Sequence, residues 1–143
     1  MKYYLIISRK NTKFTEKRAK GFEDNKGNKD IVRFYNWYKR QAQACGYCGI
    51  TQEELYELFT KDENKTLPLN VAKKRSSGTL EIERLDCITN IYVEDNIILA
   101  CPLCNNAKSN LINEKNWITL FVPPMREYYK KLLGRDLKNP CLC

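Results

Sequence analysis

Two short cysteine pairs constrain this chain more than any other feature. Cys45-Gly46-Tyr47-Cys48 and Cys101-Pro102-Leu103-Cys104 each set two thiols across a tight turn, and 52 residues separate the pairs. Two C-x-x-C knuckles are the usual grammar of a tetrahedral zinc site. A redox C-x-x-C is the rival reading, but redox chemistry needs one pair, not two. Gly46 and Gly49 ease the first turn. Across so long a gap a metal would clip distant segments together, which helps a chain of 143 residues with a small core. Cys45, Cys48, Cys101 and Cys104 are therefore the expected ligands of one structural Zn²⁺. Cys87 reads as a buried or spare thiol. Cys141 and Cys143 stand at the C-terminus, where a second metal would need outside ligands.

The opening Met1–Arg9 stretch has too short an apolar run for a signal peptide and lacks a small-residue cleavage site. A disulfide framework of the secreted kind is therefore not the reading. No apolar run reaches bilayer length. The expectation is an intracellular protein, in the cytoplasm or with DNA.

Charge is unevenly placed. Residues 1–44 carry 12 Lys/Arg against 4 Asp/Glu, while residues 45–143 carry 13 of each, so the net +8 sits wholly on the first third. A basic arm on a neutral body suits a polyanion, most often nucleic acid. A solubilising face is the plainer alternative.

Periodicity predicts a strand over 2–8 and a polar, basic loop over 9–29. Asp30 is a plausible N-cap for a helix with apolar Ile31, Phe34, Tyr35, Trp37, Tyr38 and Ala42. That aromatic stripe reads as core before it reads as a base-stacking platform. Thr51-x-x-Glu54 is a capping box before Leu55, Leu58 and Phe59. Residues 62–78 form a linker with the basic run Lys73-Lys74-Arg75, either a phosphate contact or an ordinary exposed loop. Strands are expected over Thr79–Leu85 and Ile97–Ala100, and a helix over Asn105–Leu111. Trp117–Val122 reads as an apolar stretch ended by Pro123-Pro124. A last helix, Arg126–Leu133, should stop at Gly134.

The informative residues are Glu83-Arg84 at a strand end, Asn90-Ile91-Tyr92, Asp95-Asn96, a short strand, then Cys101-x-x-Cys104-Asn105 and Lys108. With Cys45-Gly46-Tyr47-Cys48-Gly49-Ile50 before them, this order resembles the HNH, or ββα-metal, endonucleases, and within them a histidine-poor, PacI-like branch. The likeness covers about residues 30–115. It implies an α+β, zinc-stapled ββα-metal fold with flanking helices and a basic N-terminal extension. The expected divisions are 1–29 (extension), 30–122 (nuclease core) and 123–143 (C-terminal helix and tail).

The same resemblance implies roles. Glu83 and Asn105 occupy the positions that hold a catalytic Mg²⁺ or Mn²⁺, where one carboxylate and one amide oxygen suffice. Asp86 is a reserve ligand. The family's usual Asp is Glu83 here, and its general-base histidine is replaced by Arg84 in a chain with no histidine. A guanidinium holds its proton too tightly to be a base, so Arg84 can only clamp phosphate or stabilise charge. Tyr92, a phenol, is a base, a direct nucleophile or a packing aromatic, with water activated by the metal as the competing account. Ile91 stands where the branch has Gly, and Gln43-Ala44 where the family has a further histidine. Asn96 reads as a structural bridge across the hairpin, and Lys108 as a phosphate contact beside Lys73, Lys74 and Arg75.

The expected function is divalent-metal-dependent cleavage of double-stranded DNA, as a homodimer if both strands are cut. Alternatives are a non-catalytic zinc DNA-binding protein, or a module that binds or cuts RNA.

Overall fold

The computed structural model describes Phe22, Lys26 and residues 30–61, 78–89 and 92–139. The expected strand over 2–8, most of the loop over 9–29, the run Lys73-Lys74-Arg75, Asn90-Ile91, and Cys141 and Cys143 lie outside the described residues. By its contacts the chain forms two units, Met1–Ala42 with Arg84–Ile97, and Gln43–Glu83 with Ile98–Cys143.

In the first unit Asp30 caps helix α1, Ile31–Arg40, its carboxylate accepting from the Arg33 N–H at 2.9 Å. Of the expected aromatic stripe, Trp37 enters the core and Phe34, Tyr35 and Tyr38 are half-buried. Phe22 meets Phe34 edge-on at 4.9 Å between centroids, Phe34 stacks on Trp37 at 5.9 Å, and Trp37 is buried. Arg33 and Arg40, one face of α1, both reach Glu94, at 2.7 and 3.5 Å. These exposed pairs contribute at most about 1 kcal/mol. A single 3₁₀ turn, Glu94–Asn96, leads out of this unit.

The second unit opens with the first knuckle. Cys45 N–H donates to Ile50 O at 2.8 Å and Gly49 N–H to Cys45 O at 2.9 Å. Gly49 has φ 78°, a conformation that costs other residues. Gly46 is needed for space, since a Cβ there would lie 2.9 Å from Ile98 Cδ1. Helix α2, Gln52–Lys61, then starts on the expected capping box. Glu54 Oε2 accepts from Thr51 N–H at 2.9 Å, and Glu54 N–H donates to Thr51 Oγ1 at 3.1 Å. Its buried side, Leu55 and Leu58, enters the core.

Strands β1, Glu81–Arg84, and β2, Ile97–Ala100, pair as a two-stranded antiparallel sheet. Helix α3, Pro102–Lys108, follows β2 at once. It starts three residues earlier than expected because Pro102 sits in the first turn, where a missing N–H costs nothing, and Cys101 caps it. Ser109, at φ 51°, ends it.

A short turn of helix, Glu114–Asn116 (α4), runs through a π turn, Trp117–Phe121, into helix α5, Val122–Leu133. Here the sequence expectation needs correction. Pro123-Pro124 does not end the apolar stretch; the prolines lie in the first turn of α5, which tolerates them. Gly134, at φ 69°, closes α5 as expected. Trp117 is fully buried, stacked on Phe121 at 5.4 Å and edge-on to Tyr47 at 6.2 Å. The architecture is α+β. No helix among the described residues is long and apolar enough to cross a membrane.

Candidate functional site: a four-cysteine centre and an acidic strand

The two knuckles converge within the second unit. Gly46 N–H donates to Leu99 O at 2.7 Å, which ties the first knuckle to β2 two residues before Cys101. Cys45, Cys48, Cys101 and Cys104 are buried, with their sulfurs all within 4.8 Å of one another. The Cys48 and Cys101 sulfurs are 3.8 Å apart. That is far beyond the roughly 2.05 Å of a disulfide. It matches the edge of about 3.8 Å that a tetrahedron with Zn–S near 2.3 Å requires. The four thiols are free and their donor set suits one zinc ion.

Their electrostatics point the same way. Burial raises the Cys45 thiol, yet hydrogen bonds from Cys101, Cys104 and Cys48 outweigh it and hold Cys45 well below its ordinary value. Cys48 and Cys104 are pushed above theirs, first by hydrogen bonding to Cys101. Without a cation, thiolate at one sulfur keeps protons on its neighbours; a buried dication removes that conflict.

Two further residues touch the knuckles. Tyr129 O–H donates to Cys101 Sγ at 3.2 Å, and Cys104 N–H donates to the same sulfur at 3.3 Å. The Arg126 guanidinium donates to the Cys48 carbonyl and, at 3.2 Å, to that of Asn139.

An acidic strand faces α3 in the same unit. Glu81 and Glu83 alternate along β1 and so share one side of it. Asn105 and Lys108, one turn apart on α3, meet them in order. Asn105 Nδ2 donates to Glu81 Oε2 at 2.6 Å, and Lys108 Nζ to Glu83 Oε1 at 3.1 Å. Asn105, expected beside Glu83 at a metal, thus hydrogen-bonds Glu81, while Glu83 is held by Lys108. Strand–helix register sets the pairing: the middle of α3 lies over Glu81 and its end over Glu83. Lys108 also departs from expectation. Its side chain is wholly buried, its ammonium 3.1 Å from Glu83 and 6.0 Å from the Tyr47 ring centroid, so it serves the interior rather than presenting to a surface phosphate. Burial, then the charges of Glu83 and Glu114, raises the Tyr47 phenol far above its ordinary value.

In the first unit, the Arg84 guanidinium lies over the Tyr92 ring, 5.1 Å from its centroid, a cation–π contact. Asn96 brackets Asp86: Asp86 N–H donates to Asn96 Oδ1 at 2.8 Å and Asn96 Nδ2 to Asp86 O at 3.2 Å. The Asp86 carboxylate accepts from Ile88 N–H at 2.8 Å, a local turn. Cys87 is half-buried and forms no disulfide with a described residue.

Comparison with known proteins returns no relative: no family model, no curated protein and no solved structure matches the chain. Sequence reasoning passed over Glu81, Arg126 and Tyr129. The alternation Glu81-Ile82-Glu83 was a usable signal for the first. The other two carry no local signal, because their partners lie far away in the chain.

Proposed function

We propose that this chain is a divalent-metal-dependent endonuclease acting on duplex DNA, built on a zinc-stapled ββα-metal scaffold. The observation that carries the reading is the contact of Asn105 with the Glu81 carboxylate, on a helix that follows β2 directly and is pinned at its first turn by Cys101 and Cys104. Strand, strand and helix thereby bring one carboxylate and one side-chain amide to one spot. Such a sparse oxygen set suits Mg²⁺ or Mn²⁺, which keep several waters. Glu81 and Asn105 are the residues that would hold the ion, with the Asn105 amide turned to offer its oxygen. Bound there, the ion would neutralise charge on the scissile phosphate and its leaving oxygen.

The protein's own groups have separate tasks. Lys108 holds Glu83 in a charge-assisted bond, which keeps a second carboxylate rigid on the face that carries Glu81. Arg84 follows Glu83 in the chain and is a cation suited to a phosphate oxygen. Its stacking on Tyr92 keeps the guanidinium plane ordered. Tyr92 is then first a platform for Arg84, and a proton acceptor only if Tyr92→Phe abolishes cleavage. Residues 1–44, with their excess of Lys and Arg, supply attraction for the DNA backbone.

One observation favours a second reading, a metal-stapled DNA-binding module without catalysis. Glu83 is committed to Lys108 and buried, which removes the residue that the resemblance places at the metal.

The test is cleavage of supercoiled plasmid in Mg²⁺ or Mn²⁺ by wild type, Glu81→Gln, Glu83→Gln and Asn105→Ala. Cutting by wild type and Glu83→Gln, with loss of at least 100-fold in the other two, supports the assignment. Equal loss in a Glu83→Gln protein whose circular dichroism shows that it still folds restores the Glu83-centred site. DNA binding without cutting by any protein, across plasmids of varied sequence, favours the binding module.

A further inference from the structure

We propose that α5 is an outer clamp on the four-cysteine centre, in which Arg126 and Tyr129 are positioning residues that hold one knuckle each. The inference rests on the zinc reading of that centre. Positions 126 and 129 are three apart on a helix and so share a face. From that face the Arg126 guanidinium donates to the carbonyl of Cys48, in the first knuckle, and the Tyr129 hydroxyl donates to the sulfur of Cys101, in the second, at 3.2 Å. One rigid element thus spans two segments that are 52 residues apart in sequence.

The chemistry of the two contacts differs. Arg126 touches backbone, so it fixes the path of the knuckle and leaves the donor atom alone. It also binds the Asn139 carbonyl at 3.2 Å, which closes the chain beyond Gly134 back onto the same centre. Tyr129 touches the ligand atom itself. Tyr129 is buried, and its hydroxyl points at the sulfur as a donor. A hydrogen bond to a thiolate draws charge from it and restricts its direction. Cys101 Sγ takes a second such bond from Cys104 N–H at 3.3 Å, so two donors meet that one sulfur. Outer partners of this kind typically account for about 10- to 100-fold in metal affinity.

The experiment uses the full chain loaded with Co²⁺ or Zn²⁺. Tyr129→Phe keeps the ring and removes only the donor. Its thiolate-to-cobalt absorption should move to lower energy, because the sulfur becomes more electron-rich, and zinc affinity in a chelator competition should fall about 10-fold. Arg126→Ala should release zinc to a chelating dye several times faster without moving the cobalt band, with Arg126→Lys in between. Far-ultraviolet circular dichroism of each loaded variant reports folding, and if Tyr129→Phe fails to fold, the Arg126 pair decides. An unshifted band and unchanged affinity in Tyr129→Phe, or unchanged release in Arg126→Ala, overturns the clamp while leaving the metal centre intact. A wild-type chain with no thiolate-to-cobalt band overturns the metal reading and the clamp with it.

Discussion

Replacing Lys108 with Met tests the interior electrostatics of the second unit. Met is close to Lys in length and fills the same channel, so the change removes the ammonium and little packing. What remains is the Glu83 carboxylate, with its side chain only 10% exposed, facing an apolar stem instead of a cation at 3.1 Å. Removing one member of a buried ion pair costs about 3–5 kcal/mol, since the surviving charge stays desolvated. The slight exposure of Glu83 admits some water, so about 3 kcal/mol is expected. That is a large part of the roughly 5–15 kcal/mol that stabilises a domain. The double variant Lys108→Met, Glu83→Gln leaves no unpaired charge and should recover about half of the loss. The assay is urea unfolding at saturating zinc, followed by tryptophan fluorescence, with single and double variants arranged as a thermodynamic cycle. If Lys108→Met costs under about 1 kcal/mol, or the double variant is no better than the single, the pair does not neutralise Glu83 as the geometry requires.

Two other substitutions probe how the core is tied together. Glu54 is fully buried, with Oε2 on Thr51 N–H and Oε1 on Lys138 N–H at 3.0 Å, so Glu54→Ala should cost about 3 kcal/mol in urea unfolding, while Thr51→Ala, which loses only the cap, should cost about 1 kcal/mol. Gly46→Ala should cost about 1–3 kcal/mol and weaken zinc binding, because its methyl group meets Ile98 and pushes the knuckle from β2; pairing it with Ile98→Val should restore part of the loss.

Much of the local structure was legible in order and spacing. The Asp30 cap, the Thr51–Glu54 capping box and the stop at Gly134 each depend on residues within a few positions of one another, where backbone hydrogen bonding is decided. Pro123-Pro124 misled for a related reason. Proline opposes a helix in its interior but not in its first turn, and only the packing of Trp117 and Val122 in the core shows that a helix begins there.

By itself the sequence determined that four thiols stand in two knuckles and that a helix follows the second, since both facts are written in contiguous residues. Tertiary structure decided the rest of the candidate site. It chose Glu81 over Glu83 as the partner of Asn105, sent Lys108 inward, and laid Arg126 and Tyr129 against the cysteines. Those choices depend on how far a strand has advanced when a helix crosses it. Strand and helix rise by different distances per residue, so their register is settled by the packing between them and not by either segment alone.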